Sequence, residues 1–106
     1  MKIKQLVILD ENSLSKEQKE ELKDLAEKIV IYDDNPKDKK ETINRIGDAD
    51  AVLVNWTSLD KEIFDSCSKL KYLGVVATGY GWLDIPYAIK KGITVTNVPG
   101  YATESV

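Results

Sequence analysis

Five short apolar runs, each followed by a stretch with helical signals, leave few folds open to this chain. The runs are Ile3 to Leu9, Ile29 to Tyr32, Ala51 to Asn55, Leu73 to Ala77 and Ile93 to Thr96. Each is short and rich in Val, Ile, Leu or Thr, as strands are. Between the first two runs, Ser15 can cap a helix with Gln18 as the reciprocal partner of a capping box. Leu22, Leu25, Ala26 and Ile29 continue at i, i+3, i+4 and i+7. That spacing predicts a helix running up to the second strand, with the charges from Lys16 to Lys28 in solvent. Asn35-Pro36 predicts the start of a second helix and Gly47 its stop. Asp60 caps a third helix through Cys67, and Asp84 a fourth that ends at Gly92. The run from Leu73 is nearly all apolar, which predicts a central strand buried on both faces. Strands that alternate with helices pair in parallel through right-handed crossovers. The expected fold is an α/β three-layer sandwich, flavodoxin-like, around a five-stranded parallel sheet.

With 106 residues the chain makes one domain, and 42% hydrophobic residues supply its core. Fifteen Lys+Arg against eighteen Asp+Glu leave a net charge of -3. That argues against nucleic acid or an anionic membrane as partner, because both require a basic face. Histidine is absent, which excludes Ser-His-Asp and Cys-His pairs and His-ligated zinc. The single cysteine, Cys67, excludes an internal disulfide and reads as a small buried apolar residue. Lacking an apolar run of membrane length and a secretory signal pattern, the chain is expected to be cytoplasmic. Asp33-Asp34 reads as a solvated turn, and no metal site is expected. Thr103-Glu104-Ser105-Val106 has the signature of a helix start, so the sequence is expected to be a fragment of a longer chain.

In open parallel sheets ligands bind beyond the carboxyl ends of the strands. Three expected loops lie there: Asn55-Trp56-Thr57, Thr78 to Trp82 and Asn97 to Tyr101. They hold four of the eight aromatic residues and three of the six glycines. Such a concentration suits a binding site, or equally an aromatic cap that packs against another domain. Within Ala77 to Gly81, successive N–H groups at a strand-to-helix turn would form an anion nest for a small carboxylate or phosphate. Two phosphate motifs fail against this loop. Gly74 to Gly79 has P-loop glycine spacing, but Tyr80-Gly81 stand where Lys and Ser/Thr are required. Gly79-x-Gly81 opens a dinucleotide fingerprint, but Asp84 stands where its third glycine belongs. A phospho-receiver domain is the alternative from another class, with Asp10-Glu11 as its acidic pair and Thr78 as its switch hydroxyl. Against it, Asn55 and Asn97 stand where the acceptor aspartate and the lysine belong. A stand-alone small-anion binding module is the other alternative.

Leu70 to Tyr80, Leu83-Asp84-Ile85, Gly92 to Pro99 and Tyr101 to Val106, taken in order, closely resemble the N-terminal part of D-isomer-specific 2-hydroxyacid dehydrogenases. Within that family they resemble glycerate dehydrogenases, also called hydroxypyruvate reductases. The likeness is dense from Asp48 to Val106 and sparse before it. It implies NAD(P)-dependent oxidoreductase chemistry in a full-length parent that interconverts 2-oxo and D-2-hydroxy acids. It also implies that residues 1–100 belong to the substrate-binding domain and residues 101–106 open the hinge helix. By the resemblance, backbone N–H groups at Thr78 and Gly79 hold the substrate carboxylate. Tyr80, Asn55, Trp56, Thr57 and Tyr101 line the same cleft. The family's catalytic Arg, Glu and His and its GxGxxG fall beyond Val106, and Arg45 does not replace them. No catalytic and no cofactor-binding residue is therefore expected in this fragment. Alone it is expected to be inactive, to bind neither NAD nor NADP, and to self-associate through faces that meet the missing Rossmann domain. The parent is expected to be a homodimer.

Overall fold

The computed structural model describes residues 3–11, 14–75 and 84–97. Nine elements alternate along them: β1 (Ile3–Ile8), α1 (Lys16–Leu22), β2 (Ala26–Ile31), α2 (Lys39–Ile46), β3 (Ala51–Val54), α3 (Lys61–Ser66), β4 (Tyr72–Val75), α4 (Ile85–Lys90) and β5 (Thr94–Asn97). The strands form one sheet in the order β2-β1-β3-β4-β5, parallel throughout. The expected α/β sheet with its helices on two faces is therefore what forms.

Handedness distributes the helices. The chain steps one way from β1 to β2 and the other way from β2 through β3 and β4 to β5. Right-handed crossovers then place α1 on one face and α2, α3 and α4 on the other. The packing agrees. Under α2, α3 and α4 a row of residues in register crosses the sheet: Val30, Val7, Val52, Leu73 and Val95. Ile46, Ile63, Phe64 and Ala88 bury against this face. On the opposite face the row Ile31, Ile8, Leu53, Gly74, Thr96 carries large apolar side chains only from β2 to β3. There Leu22 of α1 packs against it. Towards β5 the same face carries an apolar hollow of about 340 Å³, lined in part by Leu53, Tyr72, Gly74 and Thr96. The third layer is thus half built in the described residues.

Several expectations shift. α1 keeps its capping box: Ser15 Oγ accepts from Gln18 N–H at 3.1 Å, and Ser15 N–H donates to Gln18 Oε1 at 2.8 Å. But the helix stops at Leu22, and β2 begins at Ala26 rather than Ile29. Ala26 pairs with Ile3 across the sheet, and that pairing outweighs the helical spacing. Leu25, counted on the apolar stripe, is left exposed. Asn35-Pro36 does not start α2. Asp38 does, accepting from Glu41 N–H at 2.8 Å. Asn35 is engaged elsewhere, its Oδ1 accepting from Glu11 N–H at 3.1 Å. Gly47 ends α2 at φ 52° and Gly92 follows α4 at φ 88°, a region that suits glycine. β4 lies inside the sheet, yet only Leu73 and Val75 are fully buried, while Tyr72 and Gly74 on the opposite face are half-buried.

Asp34 is exposed in its turn, as expected, but it serves Arg45. Arg45 Nη1 donates to the carbonyls of Leu9 (3.0 Å) and Asp34 (2.6 Å), and Nη2 donates to Asp34 Oδ1 (3.0 Å). The guanidinium also lies 4.3 Å from the centre of the Tyr32 ring. One buried cation thereby ties the ends of β1 and β2 to α2.

Candidate functional site

The carboxyl ends of β1 and β3 lie side by side, since Ile8 pairs with Leu53. This places Asp10 beside the loop that leaves β3. Asp10 is fully buried, and both of its oxygens face that loop. Oδ1 accepts from the Asn55 backbone N–H at 2.9 Å and from Asn55 Nδ2 at 3.2 Å. Oδ2 accepts from the N–H groups of Trp56 (2.7 Å) and Thr57 (2.8 Å) and from Thr57 Oγ1 (2.8 Å). Five donors from three consecutive residues converge on one carboxylate. Charge-assisted bonds of this kind are among the strong ones, and together they offset the desolvation of the ion.

The arrangement decides what the loop can offer. Its three N–H groups point inward to Asp10. Asn55 is buried with its amide on the same carboxylate, and Thr57 is half-buried. Trp56 is 64% exposed and forms the outer face of the loop. Beside it, a cleft of about 340 Å³ runs between the starts of α2 and α3, lined by Trp56, Thr57, Asp38, Lys39 and Asp60 among others. Lys39 Nζ already contacts Asp60 at 2.7 Å and Glu62 at 3.1 Å. The bond from Lys39 holds the Asp60 carboxyl below the usual range, and the two acids hold the lysine above its own. With its cation paired and two aspartates on its wall, this cleft is a poor place for a further carboxylate.

Of the residues expected to bind substrate, Asn55, Trp56 and Thr57 come together on Asp10. Thr78, Gly79, Tyr80 and Tyr101 lie outside the described residues, as does the boundary between residues 100 and 101. Asp10 was legible in the sequence only as an acid closing the first strand. Its partners lie 45 to 47 positions away, and nothing local announces them. The receiver reading of Asp10 meets an obstacle here, since its oxygens are occupied by five donors. Among the described residues no group of three or more His, Cys, Asp or Glu could hold a metal. Cys67 is buried behind α3, and burial pushes its thiol up to about 11, far from a thiolate nucleophile. No described strand-to-helix turn contains a glycine, and the turn after β3 has its N–H groups committed to Asp10. The turn after β3 therefore offers no backbone donors to a dinucleotide pyrophosphate.

The sequence profile of the D-isomer specific 2-hydroxyacid dehydrogenase catalytic domain matches residues 6–106. The chain belongs to this family. A hydroxypyruvate reductase of Blautia hydrogenotrophica is 45% identical over 85 residues, which cover 80% of this chain and 26% of that protein. Among solved structures, an acyclic imino acid reductase in complex with NADPH and D-Arg superposes with a TM-score of 0.82 at 27% identity, over 95% of this chain and 33% of that one. The NAD+-bound 3-phosphoglycerate dehydrogenase of Entamoeba histolytica gives 0.75 at 26% identity, over 93% and 33%. The chain thus spans about a quarter of the length of the hydroxypyruvate reductase. It is the family's catalytic-domain type of α/β sheet, and its relatives are oxidoreductases. Among the described residues no helix is long and apolar enough to cross a membrane.

Proposed function

We propose that this chain is the substrate-binding part of a cytoplasmic NAD(P)-dependent reductase that converts small 2-oxo acids to 2-hydroxy acids: hydroxypyruvate to D-glycerate, or glyoxylate to glycolate. The observation that carries the reading is the 45% identity to a hydroxypyruvate reductase across 80% of the chain. Residues 1–100 form the substrate side of a cleft, and residues 101–106 lead towards the cofactor domain. In this reading the N–H groups of Thr78 and Gly79 hold the substrate carboxylate, because a glycine turn after a parallel strand supplies donors to an anion. By the family likeness Tyr80 and Tyr101 also contribute to substrate binding, and Trp56 forms the wall of the cleft on the β3 side, with Asn55 and Thr57 behind it. NAD or NADP, held by the rest of the parent, supplies the hydride. This chain contributes binding, orientation and exclusion of water.

The 106 residues alone are inactive in this reading, since hydride transfer also requires an acid to protonate the new alkoxide. The test follows NADH and NADPH oxidation by the gene product carried to its natural stop codon, with hydroxypyruvate, glyoxylate and pyruvate. Oxidation fastest with hydroxypyruvate or glyoxylate, together with silence from the 106-residue chain, is the expected result. Turnover by the 106-residue chain would overturn its inactivity. No turnover by the longer product would overturn the reductase reading and leave a small-anion binding module.

A further inference from the structure

We infer that Asp10 is a positioning residue for the substrate loop. It never meets the substrate, but it fixes the backbone that carries Trp56. The inference rests on the reductase reading for its ligand and on the geometry around Asp10 for its mechanism.

The three consecutive N–H groups of Asn55, Trp56 and Thr57 make the kind of concave donor set that elsewhere binds a ligand anion. Here it closes on the protein's own carboxylate, at 2.7 to 2.9 Å. Two consequences follow. The loop has no backbone donors left for a substrate, so any recognition by this loop comes from side chains. And the loop does not shift without leaving a buried carboxylate short of donors, which is energetically steep. Trp56 has most of its surface in solvent and little packing of its own to hold it. Its place is set by the peptide groups on either side of it, both of which donate to Asp10 Oδ2. A wall fixed before the substrate arrives spares the ordering loss on binding, and that saving appears in affinity. Two side-chain bonds complete the lock, from Thr57 Oγ1 at 2.8 Å and from Asn55 Nδ2 at 3.2 Å.

The test uses the gene product carried to its natural stop codon and three variants, Asp10→Asn, Thr57→Val and Thr57→Ser. Asp10→Asn turns one acceptor into a donor that faces donors. Thr57→Val keeps the shape and removes one bond, and Thr57→Ser restores it. The expected result is a rise in KM for the 2-oxo acid of roughly tenfold in Asp10→Asn, as the loss of one charge-assisted bond gives. Thr57→Val should show a smaller rise and Thr57→Ser almost none. kcat and the KM for NAD(P)H should stay close to those of the unsubstituted protein. A purely structural staple would lower Tm and leave these constants unchanged in the folded enzyme, and that outcome overturns the inference. So does an equal rise in the KM for the dinucleotide. If Asp10→Asn does not fold, the pair at Thr57 decides. In the 106-residue chain carrying Trp82→Phe, Trp56 is the remaining indole. Its fluorescence anisotropy should fall in Thr57→Val and recover in Thr57→Ser, and no change would refute the lock. Absence of turnover by the unsubstituted protein overturns the reductase reading. The anisotropy then still decides whether Asp10 holds the loop.

Discussion

Replacing Arg45 by Met keeps most of the aliphatic volume and removes the guanidinium. The structure allows the loss to be apportioned. The Leu9 carbonyl, at a fully buried residue, loses a donor at 3.0 Å, and a buried acceptor left short costs roughly 1–3 kcal/mol. The Asp34 carbonyl loses one at 2.6 Å but lies nearer solvent, for about 0.5–1 kcal/mol. The Tyr32 stack contributes about 0.5–1 kcal/mol. The ion pair with Asp34 adds little, since the Asp34 side chain is 79% exposed although that of Arg45 is only 7% exposed. The expected total is about 3 kcal/mol. In urea, at m of about 1.5 kcal/mol/M, the midpoint falls by roughly 2 M. The measurement is equilibrium unfolding followed by circular dichroism, at a concentration low enough to keep the chain monomeric. Arg45→Lys should recover only a small part of the loss, because an ammonium lacks the planar fork that reaches two carbonyls. Asp34→Asn should cost less than about 0.5 kcal/mol. A loss below about 1 kcal/mol for Arg45→Met, or full recovery with Lys, would refute the view that the guanidinium acts as a buried tie.

Three further expectations follow from the same geometry. Burial works against the Asp50 carboxylate, but the N–H groups of Lys4 (3.0 Å) and Gln5 (2.8 Å) outweigh it and lower its pKa. Its folded pKa lies below its unfolded value, so its contribution is present above about pH 4 and fades as pH falls through the folded value; an acid titration of stability should be flatter below pH 4 in Asp50→Asn. The Cys67 thiol, pushed up to about 11 by burial, should react with a disulfide reagent at pH 8 only as fast as the chain unfolds, and fast modification under native conditions would contradict its place in the core. The bare half-face near β5 should make the 106-residue chain associate at high concentration, and Thr96→Lys, at an exposed position in the hollow, should restore a monomer in sedimentation experiments without loss of fold.

How far the candidate site was legible differs from residue to residue. The loop after β3 could be located because parallel sheets present their carboxyl edges to ligands, and Trp56 stood there in the sequence. That the loop would turn its N–H groups inward could not be read. An anion nest looks the same in sequence whether a ligand or a distant side chain fills it. Asp10 fills this one from another strand.

The sequence by itself determined what depends on neighbours within one turn. It set the capping box of Ser15 and Gln18, the caps at Asp60 and Asp84, the glycine stop at Gly47, and the alternation that forces a parallel sheet. The helix distribution was implicit too, because handedness follows from strand order. Only the tertiary structure decided the rest. Ala26 is strand rather than helix because Ile3 is there to pair with it. α2 begins at Asp38 because Arg45 and Glu11 have taken the turn before it. Asp10 became the anchor of a loop 45 residues away. Each of these is a competition between a local preference of a few tenths to about 1 kcal/mol and buried pairing worth more, and only the assembled fold brings the second competitor into contact.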